Sequence, residues 1–274
     1  MTDWTLRLKS LQQIQEFLQK EDVTLLVFQE TYKNIFTLLS TELKDIRSAI
    51  VKEAIKILTL ASKKFRTSFD TLIIQFIDTL FSLVSSPTNA ISKSASESLK
   101  QILENIYSPK LLIKILENSK QKHPSTRLIS AELVLYALSY FPKSILDIVD
   151  NEALLQTVRS YISDTGKLKE VGKDCFLALV DKYPEKSERI VTIVAGGNRK
   201  LAEELKSLRK NYDIDFGAKF PNNVEISEEE WEMFENVNVF EAVRLAISTP
   251  LFQTSNEIHL EGLLEKADNA VKYI

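Results

Sequence analysis

The sequence predicts an all-α protein built as an α-solenoid of stacked helical pairs, and three observations carry that reading. Glycine is scarce, 6 in 274 residues, and none precedes Gly166, which disfavours strands joined by tight positive-φ turns. Apolar residues recur at helical spacing through most of the chain. Pro87, Pro109, Pro124, Pro142 and Pro184 each fall where a new apolar pattern starts, a position at which a helix has no use for the missing N–H.

Taken in order, the start MTDWTLRLKS opens a stripe of Trp4, Leu8, Leu11 and Leu18. Trp4 either caps the end of a core or stands at the mouth of the helix as an anchor for a partner. Leu25, Phe28, Tyr32, Ile35 and Leu39 predict one helix, and Ile46, Ile50, Ala54, Ile57 and Ala61 the next. Phe69, Leu72, Phe76, Leu80 and Leu83 define a further stripe, as do Leu128, Ala131, Leu135 and Leu138. Grouping the helices gives units of 22–63, 68–106, 108–141, 143–183 and 185–210 after the opening helix. Two-helix units of about 40 residues are the signature of HEAT-type repeats, and about six pairs are expected.

A solenoid of this kind presents the turns inside its pairs along one edge. Those turns are TELKDIRS (41–48), SSPTNAISK (85–93), KQKHPSTR (120–127), SDTGKLK (163–169) and GGNRK (196–200). Each brings a basic residue to the start of its second helix: Arg47, Lys93, Arg127, Lys169 and Lys200. A cation there opposes the helix dipole at a cost of a few tenths of a kcal/mol, so stability does not ask for it. In register, the five form a basic ridge.

The net charge of −3 divides unevenly. Through Tyr212 the chain holds 31 Lys and Arg against 25 Asp and Glu, whereas Asp213 to Glu241 holds nine acids and only Lys219. Two parts are therefore expected, a mildly basic repeat body over 1–212 and an acidic linker with a helical C-terminal extension over 213–274. FGAKFPNN (216–223) reads as the linker, and Ser227 with Glu230 forms a capping box for a short helix carrying Trp231 and Phe234. Helical stretches follow from Val239 to about Ile247 and from about Glu257. Their aromatic residues, with Phe240, either fold back on the solenoid end or hold a protein partner.

The sequence offers little chemistry beyond binding. His123 and His259 have no Cys or carboxylate at ligand spacing. GGNRK lacks the strand and the GK[ST] ending of a phosphate loop. Cys175 lies on the stripe Leu168, Val171, Cys175, Leu179, the place of a core thiol rather than a nucleophile. No enzyme, metal or cofactor is expected. A single cysteine suits a reducing, cytoplasmic compartment, the start lacks a signal peptide, and charges break the apolar runs before membrane-spanning length. The basic excess is far weaker than a nucleic-acid-binding stripe, so neither a specific nucleic acid nor a membrane is an expected partner.

DWTLRLKSLQQI at the start, LKDIRSAIVKEA (43–54), LKQILENIYSPKLLIKIL (99–116) and LKEVGKDCFLALVDKYPEKSERI (168–190) together resemble a TOG domain. They are most similar to the CLASP group, with the ciliary crescerin-type TOG arrays next. The resemblance runs from Asp3 to about Lys210 and implies a paddle of six HEAT repeats whose intra-repeat loops contact tubulin. It assigns Trp4 and Arg7 to the first loop and Lys44, Asp45 and Arg47 to the second. Asn89 and Lys93 match the third, Lys122 and Arg127 the fourth, and Lys167 and Lys169 the fifth. The sequence departs from the family in starting at the first loop, in having Lys169 where an Arg is usual, and in its acidic extension. The implied function is non-enzymatic binding of the tubulin dimer or microtubule lattice to regulate microtubule dynamics or stability, in the cytoskeleton of a spindle or cilium. The alternative is a HEAT scaffold for a protein other than tubulin, working through a helical face or the extension.

Overall fold

The structure is a computed structural model, and it describes residues 4–210. Those residues form thirteen α-helices: α1 (Trp4–Leu18), α2 (Leu25–Thr31), α3 (Ile35–Glu42), α4 (Ser48–Phe65), α5 (Asp70–Val84), α6 (Asn89–Asn105), α7 (Pro109–Asn118), α8 (Pro124–Tyr140), α9 (Lys143–Leu146), α10 (Asn151–Ile162), α11 (Gly166–Lys182), α12 (Ser187–Ala195) and α13 (Arg199–Lys210). Short 3₁₀ turns at Arg66–Phe69 and Pro184–Lys186 complete the set, with no strand among the described residues. The expected extension over 213–274, with its capping box and aromatic residues, lies outside the described residues.

The helices stack as an α-solenoid of the HEAT type. Five antiparallel pairs, α3/α4, α5/α6, α7/α8, α10/α11 and α12/α13, follow the lone α1. The second helices of the pairs form one layer, in which α1 packs on α4, α4 on α6, α6 on α8, α8 on α11 and α11 on α13. The first helices form the other, through α5 on α7, α7 on α10 and α10 on α12, with Phe36 of α3 stacked 6.0 Å from Phe76 of α5. The repeat period is visible in the cross-links. Gln15 donates to the Glu53 main chain, Thr59 meets Ser98, Asn118 donates to Asp78, and Tyr183 to Asp147, pairs 36 to 40 residues apart.

The core lies between the layers. Phe28, Phe69, Phe76, Phe81, Phe141, Phe176 and Tyr161 are all but inaccessible, and each such side chain contributes about 1.5–3 kcal/mol by leaving water. Cys175 is among them, its Sγ facing the Ala131 carbonyl at 3.6 Å. Pro109 and Pro124 stand at N1 of α7 and α8. Pro142 precedes α9, Pro184 opens a 3₁₀ turn, and Pro87 lies just before the Thr88 N-cap of α6.

Three expectations need correcting. The stripe from Leu25 to Leu39 is two helices, because Tyr32 leaves helical geometry at φ −119°, ψ 62° and its ring turns in against Phe17 at 5.3 Å. Ile46 does not belong to the core stripe of α4; it sits in the turn before that helix and is 90% exposed. The span Ser48–Val84 contains an 18-residue window of mean hydropathy 1.3, long and apolar enough to cross a membrane by length and composition. Here it is broken at Arg66, whose φ is 48°, and its apolar residues Ile50, Ile57, Ile73 and Phe76 are buried in the solenoid.

Candidate functional site

Because each pair is antiparallel and the second helices run parallel, the N-termini of α1, α4, α6, α8, α11 and α13 meet at one edge, joined by turns of three to five residues. The N-cap residues Arg47, Thr88, His123 and Thr165 make no side-chain cap. Elsewhere Thr24 and Asp150 cap their helices, whereas Asn34 and Ser108 do not. The first-turn amides of α4, α6, α8 and α11 thus lack an acceptor from their own N-cap side chain, whereas Asn198 Oδ1 accepts the Leu201 amide at 3.1 Å at the start of α13. The C-termini of the first helices end at the same edge, so the helix dipoles largely cancel and the side chains set the local charge.

The expected residues take three kinds of position. Trp4, at the first turn of α1, is 42% exposed. Lys44, Arg47, Asn89, Lys93, Lys122 and Lys167 are exposed on the turns or first turns, as is Lys200 at the start of α13, while Lys169 is half-buried. Lys93 has only a loose approach of 3.8 Å to Glu97 of its own helix. Lys167 reaches Glu132 of α8 at 2.7 Å, and Lys100 of α6 holds the other oxygen of that carboxylate at 2.7 Å. Lys120, Lys122 and Arg127 are among the residues that line an open concavity of about 550 Å³ between the α7–α8 turn and α10.

Arg7, Asp45 and Arg127 are of the third kind, turned inward. The Arg7 guanidinium pairs with Glu42, and its Nη2 donates to Asp45 Oδ2 at 2.6 Å. The other oxygen of Asp45 accepts the Arg47 amide at 2.7 Å. Burial alone would push the Asp45 carboxyl up, but the Arg47 amide and the Arg7 guanidinium outweigh it and hold it below the ordinary carboxylate range. Arg127 pairs with Asp164, which also accepts the Thr165 amide at 2.8 Å. That amide first, and Arg127 with it, depress the Asp164 carboxyl.

Sequence reading missed Ile46. Its spacing from Ile50 matched a helix face, and only the position of the turn reveals that it stands in solvent between Asp45 and Arg47, on the same edge as Trp4. A second concavity, of about 350 Å³, is lined by α6, α8 and α11 and includes Glu132, the partner of Lys167. Its lining includes Lys100, Glu104, Glu132, Tyr136 and Val171.

The family model described as CLASP N terminal matches residues 2–203, the solenoid from its first helix to α13. The chain belongs to the CLASP N-terminal family. Among curated proteins, a CLIP-associated protein of Arabidopsis thaliana is 25% identical over 190 residues, which is 69% of this chain and 13% of that protein. An uncharacterized protein of Dictyostelium discoideum is 24% identical over 240 residues, 86% of this chain and 29% of that one. This CLASP-family chain thus spans less than a third of either relative. A solved crescerin structure, from a TOG domain array that regulates microtubules in the primary cilium, matches with TM-score 0.58 at 14% identity over 76% of this chain and 86% of its own. A structure from work on TOG–tubulin binding specificity matches with TM-score 0.54 at 17% identity, over 77% and 79%. The CLASP-family solenoid therefore has the TOG fold.

Proposed function

We propose that this chain is a non-enzymatic, tubulin-binding TOG domain that regulates microtubule dynamics or stability through its loop edge, and that it works at the microtubule cytoskeleton. The observation that carries this reading is the union, on one edge, of two exposed apolar side chains, Trp4 and Ile46, with the exposed cations Arg47, Lys93, Lys122 and Lys167. Apolar anchors in the first two loops, followed by cations along the successive loops of the edge, suit an acidic protein surface, with the aromatic side chain supplying affinity and the charges orientation. Membership of the CLASP N-terminal family and the likeness to TOG domains studied with tubulin support the same partner.

The test is gel filtration and microtubule co-sedimentation of the full chain with tubulin, beside a Trp4→Glu, Arg47→Glu, Lys169→Glu variant of unchanged helicity. Binding by the parent and its loss in the variant is the expected result. No binding by the folded parent would reduce the likeness to one of fold. The scaffold reading has its own location on the helical face, at the concavity beside Glu104 and Tyr136; binding that survives reversal of the edge charges would favour it.

A further inference from the structure

We infer that Arg7 and Arg127 are positioning residues, each welding two neighbouring loops of the edge into one pre-set block, rather than contacts to the partner. This rests on the tubulin reading of the edge given above.

The two arginines hold equivalent places. Each is the fourth residue of a second-layer helix, α1 or α8, and each grips an aspartate in the turn before the next such helix, 38 residues on for Arg7 and 37 for Arg127. In both cases the aspartate is held from two sides. One oxygen takes the guanidinium and the other takes a main-chain amide, that of Arg47 at 2.7 Å or Thr165 at 2.8 Å. Arg127 adds a bond to the Ser160 carbonyl at 3.4 Å. The planar fork of arginine suits such multiple acceptance, and the low local dielectric of part-buried carboxylates strengthens it.

Exposure and the carboxylates they hold separate these two from Lys93 and Lys167. Their side chains are 27% and 25% exposed, against 69% for Lys167 and 73% for Lys93. Arg7 and Arg47 with Glu42 and Asp45 sum to no net charge, and Arg127 with Asp164 leaves none, so neither group is a net attractor of an acidic partner. The remaining junctions lack the device. The fourth residue of α4 is the buried Val51, that of α6 is Ser92, which donates to the Val84 carbonyl of its own pair, and that of α11 is Lys169, while the turn before α13, Gly196–Asn198, contains no acid. The edge thus holds two blocks, loops one and two and loops four and five, with the third loop between them and the α12–α13 turn beyond the second.

The test uses hydrogen exchange of the Arg47 and Thr165 amides together with tubulin affinity, on the full chain and on Arg7→Met, Arg7→Lys, Asp45→Asn and Arg127→Met. Arg7→Met should speed exchange at Arg47 by about tenfold or more and leave Thr165 unchanged, and Arg127→Met should do the reverse. Tubulin affinity should fall in each. Arg7→Met and Asp45→Asn combined should cost no more than either alone, as parts of one unit do, and Arg7→Lys should restore part of the protection. Lost affinity with unchanged exchange, or additive losses, would make Arg7 a direct contact and overturn the inference. If the parent does not bind tubulin, the functional reading fails while the exchange measurements still decide whether the welds exist.

Discussion

Ser130 Oγ and Tyr161 Oη lie 2.8 Å apart, both side chains fully buried, and Ser130 also donates to the Ile115 carbonyl at 3.1 Å. With its own proton committed to that carbonyl, Ser130 receives the Tyr161 hydroxyl, so one serine joins α7, α8 and α10. Ser130→Ala should cost about 1–3 kcal/mol, because it removes an acceptor from a buried hydroxyl. Tyr161→Phe should cost less, since Ser130 keeps its carbonyl acceptor. Urea unfolding of the two variants checks the order.

Gly172 allows α11 to lie against the α10 terminus. A Cβ there would stand 2.8 Å from the Ile162 nitrogen and 2.9 Å from the Tyr161 carbonyl carbon, both main-chain atoms with no freedom to swing away. Gly172→Ala should therefore destabilise by about 1–3 kcal/mol, despite the better helix propensity of alanine. Thermal unfolding measures it, and Gly166→Ala is the contrast, where no atom lies within 4 Å and only the φ of +59° resists.

Asp45 and Asp164 titrate below the ordinary carboxylate range. A depressed carboxyl contributes stability above its unfolded value, and that contribution disappears as the pH falls through the folded value. Denaturant midpoints should thus decline below about pH 4, the ordinary carboxylate value. In Asp45→Asn and Asp164→Asn the decline should be shallower, starting from a lower midpoint at pH 7. Equal slopes in parent and variants would contradict the assignment.

Ile46→Ser should leave the unfolding midpoint within about 0.5 kcal/mol of the parent, since a side chain 90% exposed has no packing to lose. Tubulin affinity should fall nevertheless. A matched loss of both would mean that the turn had been disturbed, which the Arg47 amide exchange would report.

Much of the fold was legible because helix starts carry local marks. Pro109 and Pro124 stand where the missing N–H is free of cost, and the stripes of α5, α8 and α11 follow the 3.6-residue period through Phe76, Leu135 and Cys175. What escaped depends on partners distant in sequence. Tyr32 fits its stripe by spacing, and only its backbone, at φ −119°, ψ 62° with the Phe17 ring against its side chain, shows that the helix ends there. Arg7 and Arg127 read as exposed cations because a pattern of single helices holds no information about an aspartate one repeat later. The basic character of the turns was readable; which of their cations remain unengaged was not, since that is decided by packing between repeats.

Glu132 holds Lys100 and Lys167 at 2.7 Å each from its two oxygens, and this has a consequence for ionic strength. When an acidic partner draws Lys167 away, one ion pair is exchanged for another, and Glu132 keeps Lys100 as its remaining counter-charge. Few bound ions are released in such an exchange, so the salt dependence of association should be gentler than the number of lysines on the edge suggests. Glu132→Gln would free Lys167 beforehand and steepen it.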